Sequence, residues 1–443
     1  MKELATRFEM SMSAVRLLFV SIVWFWATAA QADLTIQIDQ SSDNAMPIAI
    51  VPLEWNNPNE MPPENIAQII GSDLYRSGKF KPVPESQLPS RPSNIDDIEF
   101  SNWRRLGADN MLIGRISKNA KGLYDIEMRF IDILRKDQVM GKKWTDVPRK
   151  LLRQVAHKMS DLIYKELTGI KGAFNTKIAY VTVRKVGGKK EYSLEISDSD
   201  GYNAQPILKS TAPIMSPSWS PDGKMLAYVT FENGRSEIVI QSLDGKTRKI
   251  VAKYKGINGA PAWSPDGKRL ALTLSKDGSA DIYLMNMATH KLRRLTRNLA
   301  IETEAVWAPN GHSLFFNSDR RGQPQIFQVF LDTGEMRRIS FEGRYNSNPA
   351  ASPDGRYVAM VNGNNNGFNI ALLDLYTNQF NIITKTYLDE SPSFSPNGEM
   401  ILYAMNKGNK ARLAVVSIDN SVTQILSVKD GEVRSPSWGP YTD

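Results

Sequence analysis

One short phrase recurs six times between residues 219 and 440, and its period decides how more than half of the chain can fold. It reads Trp219-Ser220-Pro221-Asp222-Gly223, Trp263-Ser264-Pro265-Asp266-Gly267 and Trp307-Ala308-Pro309-Asn310-Gly311. Ala351-Ser352-Pro353-Asp354-Gly355 and Phe394-Ser395-Pro396-Asn397-Gly398 follow, and Trp438-Gly439-Pro440 is a clipped last copy. The anchors are spaced by 44, 44, 44, 43 and 44 residues. A fixed period of roughly 40–45 residues, each unit holding several short strands, is the signature of a β-propeller. Pro presets φ for a turn and Gly accepts the positive φ that a Cβ opposes, so each copy turns a first strand into a second. Asp244-Gly245 and Thr333-Gly334 turn third strands into fourth ones.

The second unit predicts strands over 216–220, 225–231, 235–242 and 247–252. Lys177-Ile178-Ala179-Tyr180-Val181 matches the second-strand pattern Met225-Leu226-Ala227-Tyr228-Val229, yet no Trp-Ser-Pro-Asp-Gly precedes it. The missing innermost strand is expected from Ser435-Pro436-Ser437-Trp438, so one blade is shared between the two ends, giving six blades and no open seam. Each anchor Trp is expected to wedge between neighbouring blades. Ala351 breaks that pattern, so the fifth blade must fill the space differently. The Pro-Asp-Gly and Asp-Gly turns share one face. The loops 232–235, 318–322 and 362–367 and the crossings between blades share the other, where their variation marks the expected working face.

Before the repeat, periodicities alternate. Residues 46–53 read as a buried strand, 63–77 as an amphipathic helix, and 111–116, 123–134 and 139–145 as strands. A longer helix opens at Pro148, with Leu151, Leu152, Val155, Met159, Leu162 and Ile163 inward, and stops at Gly169. The expected organisation is a cleaved secretory signal over 1–32, a strand and tether over 33–44, a small α/β domain over 45–171 and a six-bladed propeller over 172–443. The signal reading rests on Lys2, Arg7 and Arg16 before an apolar run and on Ala30-Gln31-Ala32, with cleavage between Ala32 and Asp33. Residues 33–44 alternate Leu34, Ile36 and Ile38 with polar neighbours. Two readings stand side by side: an edge strand of the domain, or a detachable strand offered to a partner sheet. An exported chain with no cysteine must be stable through packing alone. Its net charge of +8 is scattered, which argues for a mildly basic surface and against nucleic-acid binding.

Catalytic signatures are missing. No Gly-x-Ser-x-Gly elbow occurs, and His157, His290 and His312 lack metal-ligand spacing. No cofactor or metal is expected. Glu304, Asp389 and Glu390 are the carboxylates placed to meet a cation at the channel mouth, should one bind.

The signal, the α/β segment and the repeats together resemble the TolB family of the Tol-Pal system, most specifically over 216–232 and Asn258-Gly259-Ala260-Pro261-Ala262. The resemblance implies a non-enzymatic, monomeric adaptor in the periplasm of a Gram-negative bacterium, without membrane insertion. Its implied partners are Pal, a peptidoglycan-associated outer-membrane lipoprotein, TolA, which reaches from the inner membrane, and further outer-membrane lipoproteins. The implied Pal-binding mouth comprises Met215, Ile257, Asn258, Gly259, Ala260, Thr303, Glu304, Tyr345, Asn346, Asp389, Glu390 and Arg434. Ile257 stands where the resemblance leads one to expect a polar or basic residue. The implied TolA-binding strand is Asp33, Leu34, Thr35, Ile36, Gln37 and Ile38. A propeller that binds a small molecule or sugar in its channel is the alternative.

Overall fold

The computed structural model describes residues 36–37, 45–57, 59–365, 367–408, 410–428 and 431–442, which belong to one compact unit. The expected signal over 1–32, its cleavage site at Ala32 and Asp33, and Leu34, Thr35 and Ile38 lie outside the described residues.

Six antiparallel sheets form the propeller, and in blades 2 to 5 the strands run outward in sequence order from an innermost strand. The second blade holds Ile214–Trp219, Met225–Thr230, Glu237–Ser242 and Arg248–Ala252, close to the strands its sequence predicts. In the first blade the innermost strand is Glu432–Trp438, paired with Lys177–Val186 through Glu432↔Val183 and Trp438↔Ile178. The first and last strands of the propeller segment therefore close the ring.

Every inner strand carries a bulge, which repeat counting alone does not reveal. The pairing slips between Met215 and Ser218, and equally between Gly259 and Ala262 and between Thr303 and Val306. At the slip Ser216, Ala260, Glu304, Asn348, Ser391 and Ser435 adopt φ of 51°, 44°, 55°, 52°, 56° and 47°. Proline follows five of them, the exception being Glu304. A side chain with positive φ is uncommon, and a residue before proline avoids the helical region. Six such residues in one ring aim the inner strands at the channel.

The anchors do wedge between blades, each toward its predecessor. Trp219 Nε1 donates to Ser437 O at 3.1 Å, and Trp307 Nε1 donates to Ala262 O at 3.0 Å. The large ring meets a small partner on the preceding blade's second strand. Trp219 shares a cluster with Ala179, Trp263 with Ala227, Trp307 with Ala271 and Phe394 with Ala359. At the junction of blades 4 and 5 the sizes invert. Ala351 packs where Phe315, 2% exposed, replaces the usual alanine. Ala351→Trp alone should overfill that junction at a cost of about 1–3 kcal/mol, and Phe315→Ala alone should cost about 3–5 kcal/mol. The double variant should recover part of the loss; strictly additive denaturation energies across the four proteins would contradict the pairing.

The N-terminal layer is a mixed sheet. Phe80–Pro82, Met46–Ile50 and Asn110–Lys118 run parallel, then Tyr124–Asp132 and Asp137–Val147 continue antiparallel. Helices α1 (Ile66–Arg76) and α3 (Leu152–Thr168) cover one face, and the short α2 (Phe100–Arg105) lies on the other. The first helix starts later than expected because Asn65 caps it, its side chain accepting from Gln68 N at 3.1 Å. Leu151 sits in a 3₁₀ turn before α3 and is 39% exposed, not inward. Gly169 ends α3 at φ 75°.

This layer rests on the turns of blades 1 and 6, on the face of the Pro-Asp-Gly repeats. Asn397, from a Pro-Asn-Gly turn, donates to Lys171 O at 3.2 Å, and Lys79 pairs with Glu399 at 3.2 Å. Beside them lies a buried ionic network. Asp73, on α1, accepts from Arg76 at 2.8 Å, from Ser160 at 2.8 Å and from His157 Nδ1 at 2.7 Å. Across the junction Asp200 accepts from Arg153, whose guanidinium lies 3.9 Å above the Tyr202 ring. His157 Nε2 stands 3.4 Å from Asp200, and Arg76 reaches the Ser199 hydroxyl at 3.1 Å. His157, Asp198 and Asp200 hold ligand-type atoms within 4.8 Å of one another. Arg153 and Lys177 already pair with those carboxylates, so the cluster is a closed ion-pair network.

Ile36–Gln37 settles where the N-terminal strand docks in this state. It pairs antiparallel with Thr423–Ile425, the outermost strand of blade 6, through Ile36↔Gln424 and Gln37↔Thr423. It is an edge strand of the propeller, not of the α/β sheet.

Candidate interaction surface

The variable face opens into the channel through a cavity of about 690 Å³. Six of the twelve expected mouth residues line it: Met215, Ala260, Glu304, Tyr345, Glu390 and Arg434. They come from different blades because each occupies the start of an inner strand or the crossing before it. Ile257, 53% exposed, with Gly259 and Thr303, stands beside the cavity.

Glu304 is held at the channel wall by Asn317 and by Asn348 N at 3.1 Å. Burial pushes its carboxyl above the usual range, against those hydrogen bonds. Glu390 is exposed nearby, and Arg434 lies 3.5 Å from Glu432. The mouth therefore offers mixed charge on an apolar rim.

Three expected residues do not reach the surface. Asn258, Asn346 and Asp389 are each 0% exposed. Asn258 accepts from Tyr254 N at 2.8 Å and donates to Tyr254 O at 2.8 Å. Asn346 donates to Gln325 at 3.0 Å and to Glu342 O at 2.8 Å, and Asp389 accepts from Thr386 and from Asn369 at 3.3 Å. With Glu302, also 0% exposed, they hold one equivalent position in blades 3 to 6 and tie each crossing loop to its blade. The satisfied buried side chains of Asn258, Asn346 and Asp389 make them clamps, and the cation considered at Asp389 loses that ligand.

The sequence reading missed an aromatic contribution. Phe368, 38% exposed, lines the mouth and packs edge-on to Tyr345 with ring centroids 5.3 Å apart. Tyr387, 77% exposed, accepts at its carbonyl from Phe368 N at 2.9 Å. The paired strands Tyr357–Asn364 and Gly367–Asp374 are longer than their counterparts in blades 2 to 4, which carries Phe368 over the channel. A lone aromatic after a run of Asn and Gly was the available signal.

Comparison with known proteins decides the family. Residues 164–442 match the model described as the TolB beta propeller domain, and 34–139 match the TolB amino-terminal domain. The chain belongs to the TolB family. A Hydrogenovibrio crunogenus relative named Tol-Pal system protein TolB is 75% identical over 422 residues, 95% of this chain and 98% of its own. One of the same name from Thioalkalivibrio sulfidiphilus is 54% identical over 415 residues, 94% of this chain and 95% of its own. The crystal structure of TolB from Acinetobacter baumannii superposes with a TM-score of 0.83 at 38% identity, covering 92% of this chain and all of that one. TolB proteins are members of the Tol-Pal system and not enzymes, and this chain shares that character. Among the described residues no helix is long and apolar enough to cross a membrane, which says nothing of β-barrels.

Proposed function

We propose that the chain is a periplasmic adaptor that binds Pal at the channel mouth and offers residues 33–38 to TolA, linking outer and inner membranes. Through those links it supports outer-membrane integrity and constriction at division. The observation that carries the reading is the division of labour between the two faces. The α/β layer rests on the turn face, while the opposite face presents a cavity rimmed by exposed Met215, Ile257, Phe368 and Tyr387. Exposed apolar groups around a well-formed concavity suit a protein partner, and central contacts dominate such interfaces.

The strand that would be donated is partly engaged. Ile36–Gln37 must leave Thr423–Ile425 before it can enter another sheet, so mouth occupancy and strand release are candidates for coupling. Equal Pal affinity for chains beginning at residue 33 and at residue 45 would remove that coupling.

Titrating residues 33–443 with the periplasmic domain of the organism's own Pal tests the adaptor reading by calorimetry. Saturable one-to-one binding supports it; no heat at several temperatures favours a small molecule or sugar in the channel. Ala260→Trp should abolish Pal binding while leaving the melting curve in place, because Ala260 lines the cavity and is only half-buried. Retained binding would remove the mouth from the interface.

A further inference from the structure

The outer rim carries a second surface that neither proposed partner uses. In blades 2 and 3, Lys249 and Arg293 occupy equivalent positions on the outermost strands, opposite Ile240 and Leu284. Lys253, Lys291 and Arg297 flank them, and all five are exposed. Neighbouring Arg248 and Arg294 are neutralised by Glu232 and Asp281. None of the five has an ion pair among the described residues. Lys249 Nζ lies 3.3 Å from His290 Nε2, so the blade 2 side chain reaches across the junction to blade 3. The same strand position is Arg337 in blade 4, Asn381 in blade 5 and Gln424 in blade 6, so the charge is confined to the arc of blades 2 to 4.

The fold itself indicates what such an edge accepts. In blade 6 the outermost strand Thr423–Ile425, built of uncharged residues, takes Ile36–Gln37 as a fifth strand. The corresponding strand of blade 2, Arg248–Ala252, is longer and, among the described residues, ends its sheet unpaired on its outer side. Ile250 on it is 40% exposed.

We propose that the edge of blade 2 binds an extended acidic segment of a partner polypeptide. The segment adds as a strand along Arg248–Ala252 and sets its carboxylates against Lys249, Lys253 and the cations of blade 3. An open backbone edge supplies hydrogen bonds that only a peptide can complete, and the bordering charge selects the sign of its side chains. A lipid headgroup would use the charge but not the edge, and an isolated Ile250 gives a bilayer little to insert.

The test is fluorescence anisotropy of a labelled twelve-residue peptide alternating Glu with Val and Thr, titrated with residues 33–443. The same peptide with Lys for Glu and phosphatidylglycerol vesicles serve as comparisons. Binding of the Glu peptide alone is expected, weakening as salt rises. Lys249→Glu/Lys253→Glu should reduce affinity by roughly tenfold, the scale of a few exposed charge pairs. Arg293→Glu/Arg297→Glu is a second variant, should the first melt differently. Hydrogen exchange should show amides 248–252 slowed by the peptide. Vesicle binding without peptide binding, equal binding of the Lys peptide, or binding that leaves those amides unprotected would each overturn the proposal.

Discussion

A chain lacking residues 433–443 is expected to lose its cooperative melting transition, or to melt far below the intact protein. The segment removed holds nearly all of the innermost strand of blade 1, the partner of Lys177–Val186. Val433 and Trp438 are 1% and 6% exposed, inside the cluster that joins blade 6, blade 1 and the α/β layer. Trp438 Nε1 donates to Thr176 at 2.9 Å, its backbone N donates to Ser393 at 2.9 Å, and Gly439 N donates to Lys177 O at 2.8 Å. Removing a buried Trp alone costs about 3–5 kcal/mol. Stripping a whole strand also leaves Lys177–Val186 as an unpaired edge. Together these approach the 5–15 kcal/mol (roughly) that holds a typical domain folded. Calorimetry settles it, and an unchanged transition would mean that the ring does not depend on its seam.

Asp73→Asn should be the most damaging single substitution outside the ring core. The carboxylate is 1% exposed and faces Arg76, also 1% exposed, and His157. Neutralising it strands buried cations, at a cost of about 3–5 kcal/mol. Glu85→Gln, by contrast, removes the partner of Arg91 from a pair that is mostly exposed, and should cost less than about 1 kcal/mol. Denaturant titrations of the two variants compare them directly. The network also predicts a pH profile. Burial opposes a charge on His157, but Asp73 and Asp200 outweigh it and raise the imidazole from 6.5 to about 10. A base with a raised folded pKa contributes fully below its unfolded value, and its contribution is lost as pH climbs through about 10. Burial also opposes the charge on Asp200, yet His157 and Arg153 hold it far below the usual carboxylate range. Its contribution is present above about pH 4 and fades on acidification. The alkaline loss of stability should shrink in Asp73→Asn; an identical alkaline limb would detach His157 from that behaviour.

The ring was legible because turn chemistry is local. Pro221, Asp222 and Gly223 specify a turn whatever surrounds them, and their recurrence fixes blade number and seam. Helix α3 was legible for a similar reason, its apolar period ending at Gly169. What could not be read depends on distant packing. Asn258, Asn346 and Asp389 look like surface polar residues at variable loops, and only the fold shows their side chains turned inward as clamps. The docking of Ile36–Gln37 on Thr423–Ile425 joins strands nearly four hundred residues apart, and no local pattern encodes that choice. The positive φ at Ser216 and its counterparts was written faintly, as a proline recurring after them, but its meaning needed the bulge.

The inverted pair of Phe315 and Ala351 bears on how a chain of near-copies finds its order. Blades built from one repeat can in principle close with a neighbour skipped, or borrow a blade from another molecule. A large ring against alanine is a fit that several junctions share, so those junctions do not distinguish one blade from the next. Blade 5 set against blade 3 would oppose Ala351 to Ala271 and leave a hole. Blade 4 followed by a Trp-bearing blade would drive that ring into Phe315. Two junctions in the circle thus depart from the shared fit, this one and the seam where Trp438 clusters with Leu402 instead of an alanine, and such odd teeth are enough to index the whole wheel.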